Sequence, residues 1–146
     1  MKRGLNETET LPIGVDFDGV MKEYLKGWNY GDLTGNAPVP DALYSLRLLM
    51  RQHPVFIHTA RDPQQVIAWL SDHGFLCVTG WPGDRIWNKF GILLVTNHKH
   101  NASAYIDDRA VPFTDWDSAL AELARRGIFA PELESGEADE GLARVE

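Results

Sequence analysis

Leu11-Pro12-Ile13-Gly14-Val15-Asp16-Phe17-Asp18-Gly19-Val20 is an apolar run that ends in two aspartates separated by one residue. It reads as a buried strand, with the acids at its carboxyl end. In an open α/β sheet that end faces the ligand crevice. Two carboxylates placed there can divide the work, one attacking or holding a metal while the other moves a proton. A calcium loop of the EF-hand kind does not fit the same residues. Its third ligand position falls on Val20 and its glycine position on Met21, and the run before Asp16 reads as a strand, not a helix.

Working outward, strands alternate with helices. Pro40-Asp41 opens a helix with Leu43, Leu46, Leu49 and Met50 on one face, ending near His53-Pro54. Val55-Phe56-Ile57-His58 is a second short strand, closed by Thr59-Ala60-Arg61. Asp62-Pro63 supplies an N-cap and a proline at the first helical position, and Val66, Ile67, Trp69 and Leu70 give that helix its face up to Gly74. Residues 75–78, 92–95 and 104–106 are further short apolar runs, the last followed by Asp107-Asp108, and 118–126 is a terminal helix with Leu120 and Leu123 inward. The pattern predicts an α/β fold, a parallel sheet wrapped by helices with right-handed crossovers. The Gly-rich and aromatic stretch 19–40, with Tyr24, Trp28 and Tyr30, has no helical period and reads as a loop or β-hairpin.

Length and composition are those of one ordinary domain: 146 residues, 44% hydrophobic and 24% charged. No apolar stretch approaches the roughly 20 residues needed to cross a bilayer, and the polar start lacks a signal-peptide core, so a cytoplasmic location is expected. Cys77 is the only cysteine, which rules out an internal disulfide and a thiolate cage, and reads as a small buried hydrophobe. Residues 1–131 are expected to form one domain. Residues 132–146 are expected to form a mobile acidic tail. From residue 131 on, six acids stand against Arg144, which leaves the body of a chain of net charge −7 near −2. A body without a basic stripe argues against a long nucleic acid as partner.

In a doubly wound sheet Asp16, Asp18, Thr59, Asp107 and Asp108 would meet at one edge. Four carboxylates cannot share a small site unpaired. Their repulsion raises pKa values or demands a cation, and an all-oxygen site with few protein ligands suits Mg²⁺. A nearby lysine would complete the neutralisation and bind an anion.

These residues carry a resemblance. Asp16-Phe17-Asp18-Gly19-Val20 after a strand, Thr59 ending the second strand, a lysine, and Ile106-Asp107-Asp108-Arg109 ending a later one resemble the four motifs of the haloacid dehalogenase-like (HAD) phosphohydrolases, over residues 13–116. The resemblance implies a Rossmann-like three-layer core and a phosphatase that works through an aspartyl phosphate. It makes Asp16 the nucleophile and Asp18 the acid and base, with Mg²⁺ held by the Asp16 carboxylate, the Asp18 backbone carbonyl and the acidic pair. Asp108 aligns better as the direct ligand, with Asp107 acting through water or orienting a neighbour. Thr59 would donate to a phosphoryl oxygen, and a lysine would neutralise developing charge. Lys99, eight residues before Asp107, matches the lysine-to-acid spacing of small bacterial and phage members; Lys89 is the rival.

Outside that set, Arg61 and Arg109 each follow a motif and are candidates for a second phosphate or carboxylate, with salt bridging at the rim as the alternative. His98 and His100 flank Lys99 on opposite sides of an extended segment, which disfavours a zinc pair, and His58 is expected to be structural. Trp28, Trp81 and Trp87 can line a pocket or pack in a core. The gaps between motifs leave no room for a large cap, so residues 21–37 would serve as a short flap. The implied substrate is phosphorylated, with a nucleotide or nucleic-acid end as one subclass and no membrane partner; an uncapped site leaves room for homo-oligomerisation. The competing expectation is a non-catalytic Mg²⁺ and phosphate-binding module acting through a protein partner.

Overall fold

The computed structural model describes residues 11–24, 33 and 36–130. Chain contacts divide into two compact units, Met1–Asp108 and Arg109–Glu146. In the first unit the order is β1 (Ile13–Asp16), α1 (Ala42–Gln52), β2 (Val55–His58), α2 (Pro63–Asp72), β3 (Cys77–Val78), β4 (Leu93–Thr96) and β5 (Ala104–Ile106). The strands form one sheet in the order β3-β4-β2-β1-β5, every pairing parallel. This is the expected α/β fold of Rossmann-like type.

Strand alternation sorts the side chains onto two faces. Ile13 and Val15, Val55 and Ile57, Leu93 and Val95 share the first face, where they pack with Leu46 of α1 and with Val66, Trp69 and Leu70 of α2. Both crossovers, β1 to β2 and β2 to β3, step the same way across the sheet, so right-handedness puts both helices on that face. Fully buried residues such as Ile57 and Leu70 each contribute roughly 1.5–3 kcal/mol.

On the second face Phe56 and Leu94 pack with Trp87, Trp81, Ile92 and Tyr105, so the irregular segment 79–92 lies over it. Gly14 lies on this face. A Cβ there would stand 2.7 Å from the Tyr105 ring and 2.8 Å from Phe56, and glycine lets those rings meet edge to face across the strand, 5.6 Å between centroids.

Local signals explain most boundaries. The Asp62 side chain accepts from the Gln64 N–H at 3.1 Å and Pro63 begins α2. Gly74 ends it at φ 93°, with Gly74 N–H donating to Ser71 and Phe75 N–H to Leu70, the paired bonds of a Schellman cap. That cap uses Phe75, and Leu76 is exposed, so the expected strand over 75–78 shortens to two residues. Cys77 is half-buried, and burial pushes its thiol up to about 11. Asp41 precedes α1 with φ 69° and makes no side-chain cap.

The base of the expected flap is antiparallel: Glu23 N–H donates to Ala37 O and Val39 N–H to Met21 O. Trp28 and Tyr30 lie outside the described residues, as does the expected tail. In the second unit α3 (Trp116–Arg125) begins two residues earlier than expected, capped by Asp115, which accepts from Ser118 N–H at 2.8 Å. Its buried residue is Ala119, while Leu120 is exposed. No helix among the described residues is long and apolar enough to cross a membrane.

Candidate active site

Parallel pairing brings the strand ends level. Asp16 pairs with His58, and His58 with Thr96, while Asp107 directly follows β5, whose Ile106 pairs with Val15. Asp16, His58 and Thr96 therefore project from the second face in the rows of Gly14, Phe56 and Leu94. One oxygen each from Asp16, Asp107 and Asp108 lie within 4.8 Å of one another. Asp16 is half-buried, the other two exposed.

This crowding is unfavourable for charge. Burial is the main reason the Asp16 carboxyl is pushed up to about 6, followed by the negative charge of Asp107; the Phe17 backbone N–H pulls the other way, and Asp108 and Asp18 add to the rise. Gly19 makes the approach of Asp108 possible. It sits at φ 86°, and a Cβ on it would lie 2.4 Å from Asp108 Oδ2. The sharp turn that follows β1, with Met21 and Lys22 N–H groups donating to Phe17 O, leaves no room for a side chain there.

Asp18 stands in the opposite environment. It is buried, and its carboxylate accepts from Arg61 Nε at 2.8 Å and Nη2 at 3.0 Å, a fork-to-fork pair. Lys22 Nζ lies 3.3 Å from Asp18 Oδ1 and donates to Glu23 O at 2.8 Å. Arg61, expected to bind a second phosphate or carboxylate or else to salt-bridge at the rim, is 2% exposed and directed at Asp18. This arises because Thr59-Ala60-Arg61 turns inward at the end of β2. Thr59 is buried, its hydroxyl oxygen accepts from the Arg61 N–H at 3.0 Å, and its own O–H remains available to donate.

Lys22 and Thr96 were not singled out by sequence. A lysine four residues after Asp18 across a glycine turn is a signal for the first. Thr96 repeats the Thr59 arrangement one strand over: buried, it accepts from His98 N–H at 3.0 Å, and its backbone carbonyl accepts from Thr59 N–H at 3.0 Å.

No family model matches this chain, and no curated protein matches it. A solved structure described as that of a conserved protein from Bacteroides thetaiotaomicron is similar at 22% identity and a TM-score of 0.46, covering 82% of this chain and 93% of that one.

Of the two candidate lysines, Lys99 lies with its Nζ 5.4 Å from the Tyr105 ring centroid, on the second face. Its charge and that of Asp107 both act on His58, in opposite directions, while burial is the main cause that lowers the imidazole pKa. His58 is thus neutral at pH 7, next to Asp16. Lys89 has its Nζ 6.0 Å from the Trp81 ring, over the segment that covers the same face.

The His98 and His100 rings are 6.3 Å apart, and His100 is buried against Phe56, which chiefly by desolvation lowers its pKa. Among the described residues the group able to hold a metal is the acidic one. Trp87 is buried in the second-face core, and Trp81 packs edge to face on it at 5.0 Å. Arg109 begins the second unit, where its backbone carbonyl accepts from Arg126 Nη1 at 2.9 Å.

Proposed function

We propose that this chain is a Mg²⁺-dependent phosphatase of the HAD-like type, hydrolysing a phosphomonoester through an aspartyl phosphate on Asp16. The observation that carries this reading is the approach of the Asp16, Asp107 and Asp108 carboxylates to within 4.8 Å. The Asp16 carboxyl is raised to about 6 by burial and by its acidic neighbours. An all-oxygen, carboxylate donor set fits a hard divalent cation, and a small set of carboxylates fits Mg²⁺. Asp16, Asp107 and Asp108 would hold it, together with the Asp18 backbone carbonyl. The chemistry it supplies is charge neutralisation between those carboxylates and a phosphoryl group.

The rest is work for the chain's own residues. An Asp16 oxygen attacks phosphorus, the phosphoester bond to the alcohol breaks, and the departing oxygen takes a proton from Asp18. Asp18 then takes a proton from water as that water attacks phosphorus, releasing inorganic phosphate and restoring Asp16. Thr59 has an O–H free to donate to a phosphoryl oxygen, and Lys99 stands on the same face as Asp16 to offset the developing negative charge. Arg61 serves Asp18 and is not assigned a second anionic group. No residue reads a base, so a nucleotide or nucleic-acid end remains one subclass among phosphomonoesters.

Release of phosphate from p-nitrophenyl phosphate tests the reading. It should require Mg²⁺ in the wild type and disappear in Asp16→Asn. One observation favours a second reading. Both Asp18 oxygens are engaged by cations, which suits a non-catalytic module that keeps the acidic pocket for Mg²⁺ and phosphate and acts through a protein partner. Mg²⁺ binding without turnover across nucleotides, sugar phosphates and phosphorylated oligonucleotides would decide for it.

A further inference from the structure

We infer that Arg61 and Lys22 are positioning residues of the proton-transfer step, holding the Asp18 carboxylate in one orientation beside the leaving-group oxygen; this rests on the phosphatase reading above. Two buried cations converge on a single carboxylate two residues beyond the nucleophile. Arg61 is among the largest fully buried side chains, and Lys22 is 2% exposed with its ammonium tied to Asp18 and to the Glu23 carbonyl.

As a purely structural device this is expensive. Burying ionised groups carries a desolvation cost that apolar side chains of similar size would avoid, so stability alone does not account for three charges here. What the arrangement does provide is orientation. A carboxylate gripped by Nε and one terminal nitrogen, Nη2, of a guanidinium fork loses rotation about its last bond. The Arg61 fork is itself set by the Thr59 hydroxyl at its backbone N–H, so the residue that would donate to the phosphoryl group also fixes the clamp.

The clamp does not exhaust the acid. Oδ2 accepts one bond, from Arg61 Nε, and a carboxylate oxygen has two lone pairs, so Oδ2 keeps one for the proton in transit. Oδ1 is the oxygen shared between Arg61 Nη2 and Lys22. The geometry thus assigns Oδ1 to anchoring and Oδ2 to proton transfer.

Leaving-group dependence tests the inference on the full-length chain with Mg²⁺. An alkyl phosphate such as glycerol phosphate needs a proton delivered to its leaving oxygen, whereas p-nitrophenolate leaves without one. Arg61→Gln should lower kcat on glycerol phosphate about 100-fold, while the single-turnover release of p-nitrophenol changes less than about threefold. Asp18→Asn should show the same split, and Asp18→Asn/Arg61→Gln should be no slower than Asp18→Asn alone. Equal losses on both substrates, or additive losses in the double variant, would mean that Arg61 acts on the phosphate itself and would overturn the inference. Should Arg61→Gln fail to fold, Lys22→Met and Asp18→Asn/Lys22→Met carry the same comparison with the same two outcomes. A wild type without turnover overturns the phosphatase reading and this inference together; an active wild type with equal or additive losses overturns the inference alone.

Discussion

The end of β1 and the turn that follows it hold carboxylates two residues apart in contrasting surroundings. Asp16 faces Asp107 and Asp108 and is held near pKa 6, while Asp18 is enclosed by Arg61 and Lys22. The same side chain is crowded by other acids in one place and met by two cations in the other. Environment, not residue type, separates a carboxylate suited to a cation and a phosphoryl group from one suited to a fixed, oriented task.

The sharpest way to break this contrast is to neutralise each acid in turn and follow unfolding without Mg²⁺. Asp18→Asn leaves two buried cations without their carboxylate and should cost about 3 kcal/mol. Asp16→Asn removes a charge that its neighbours oppose and should leave stability at neutral pH unchanged or higher. Equal destabilisation by both, read as thermal midpoints, would show that the two sites do not differ.

A second test asks which cation balances the acidic side. Lys99→Ala should lower kcat about 100-fold, as loss of one charge-stabilising donor does, and Lys89→Ala should stay within about threefold. The reverse order would move the functional lysine to the segment over Trp81. Gly19 joins the two environments, and Gly19→Ala should cost about 2 kcal/mol, since the added methyl meets Asp108 Oδ2 at a strained φ of 86°. The same variant should bind Mg²⁺ more weakly, measured by calorimetry, because Asp108 must move.

The smallest effect is in pH. The folded-state pKa of Asp16 is raised, so its contribution to stability is complete below about 3.8 and is lost as pH rises through about 6. Metal-free wild type should therefore lose stability relative to Asp16→Asn between pH 4 and 6. Added Mg²⁺ should raise the midpoint more at pH 7.5 than at pH 5, because below pH 6 protons compete for Asp16. A Mg²⁺ effect independent of pH would place the ion elsewhere.

Much of the scaffold was readable in sequence because the signals are local. The Asp62-Pro63 start and Gly74 stop of α2, and the apolar run before Asp16, depend on a few adjacent residues. The meeting of Asp16 with Asp107 and Asp108 followed from the rule that parallel strands end at one edge. What escaped depends on where chains fold back. Nothing in Thr59-Ala60-Arg61 says that the arginine turns into the interior, and Lys22 is buried only because the Gly19 turn returns it to Asp18. On the second face tryptophans in an irregular segment help shield the sheet, and such a segment has no helical period to read.

The most direct measurement of the central claim is chemical trapping of the covalent intermediate. Enzyme turning over p-nitrophenyl phosphate with Mg²⁺ is quenched, reduced with borohydride and read by peptide mass spectrometry. An acyl phosphate on Asp16 predicts homoserine at residue 16 and nowhere else. Steady turnover with Asp16 unmodified, or with the label on Asp18, Asp107 or Asp108, would contradict it.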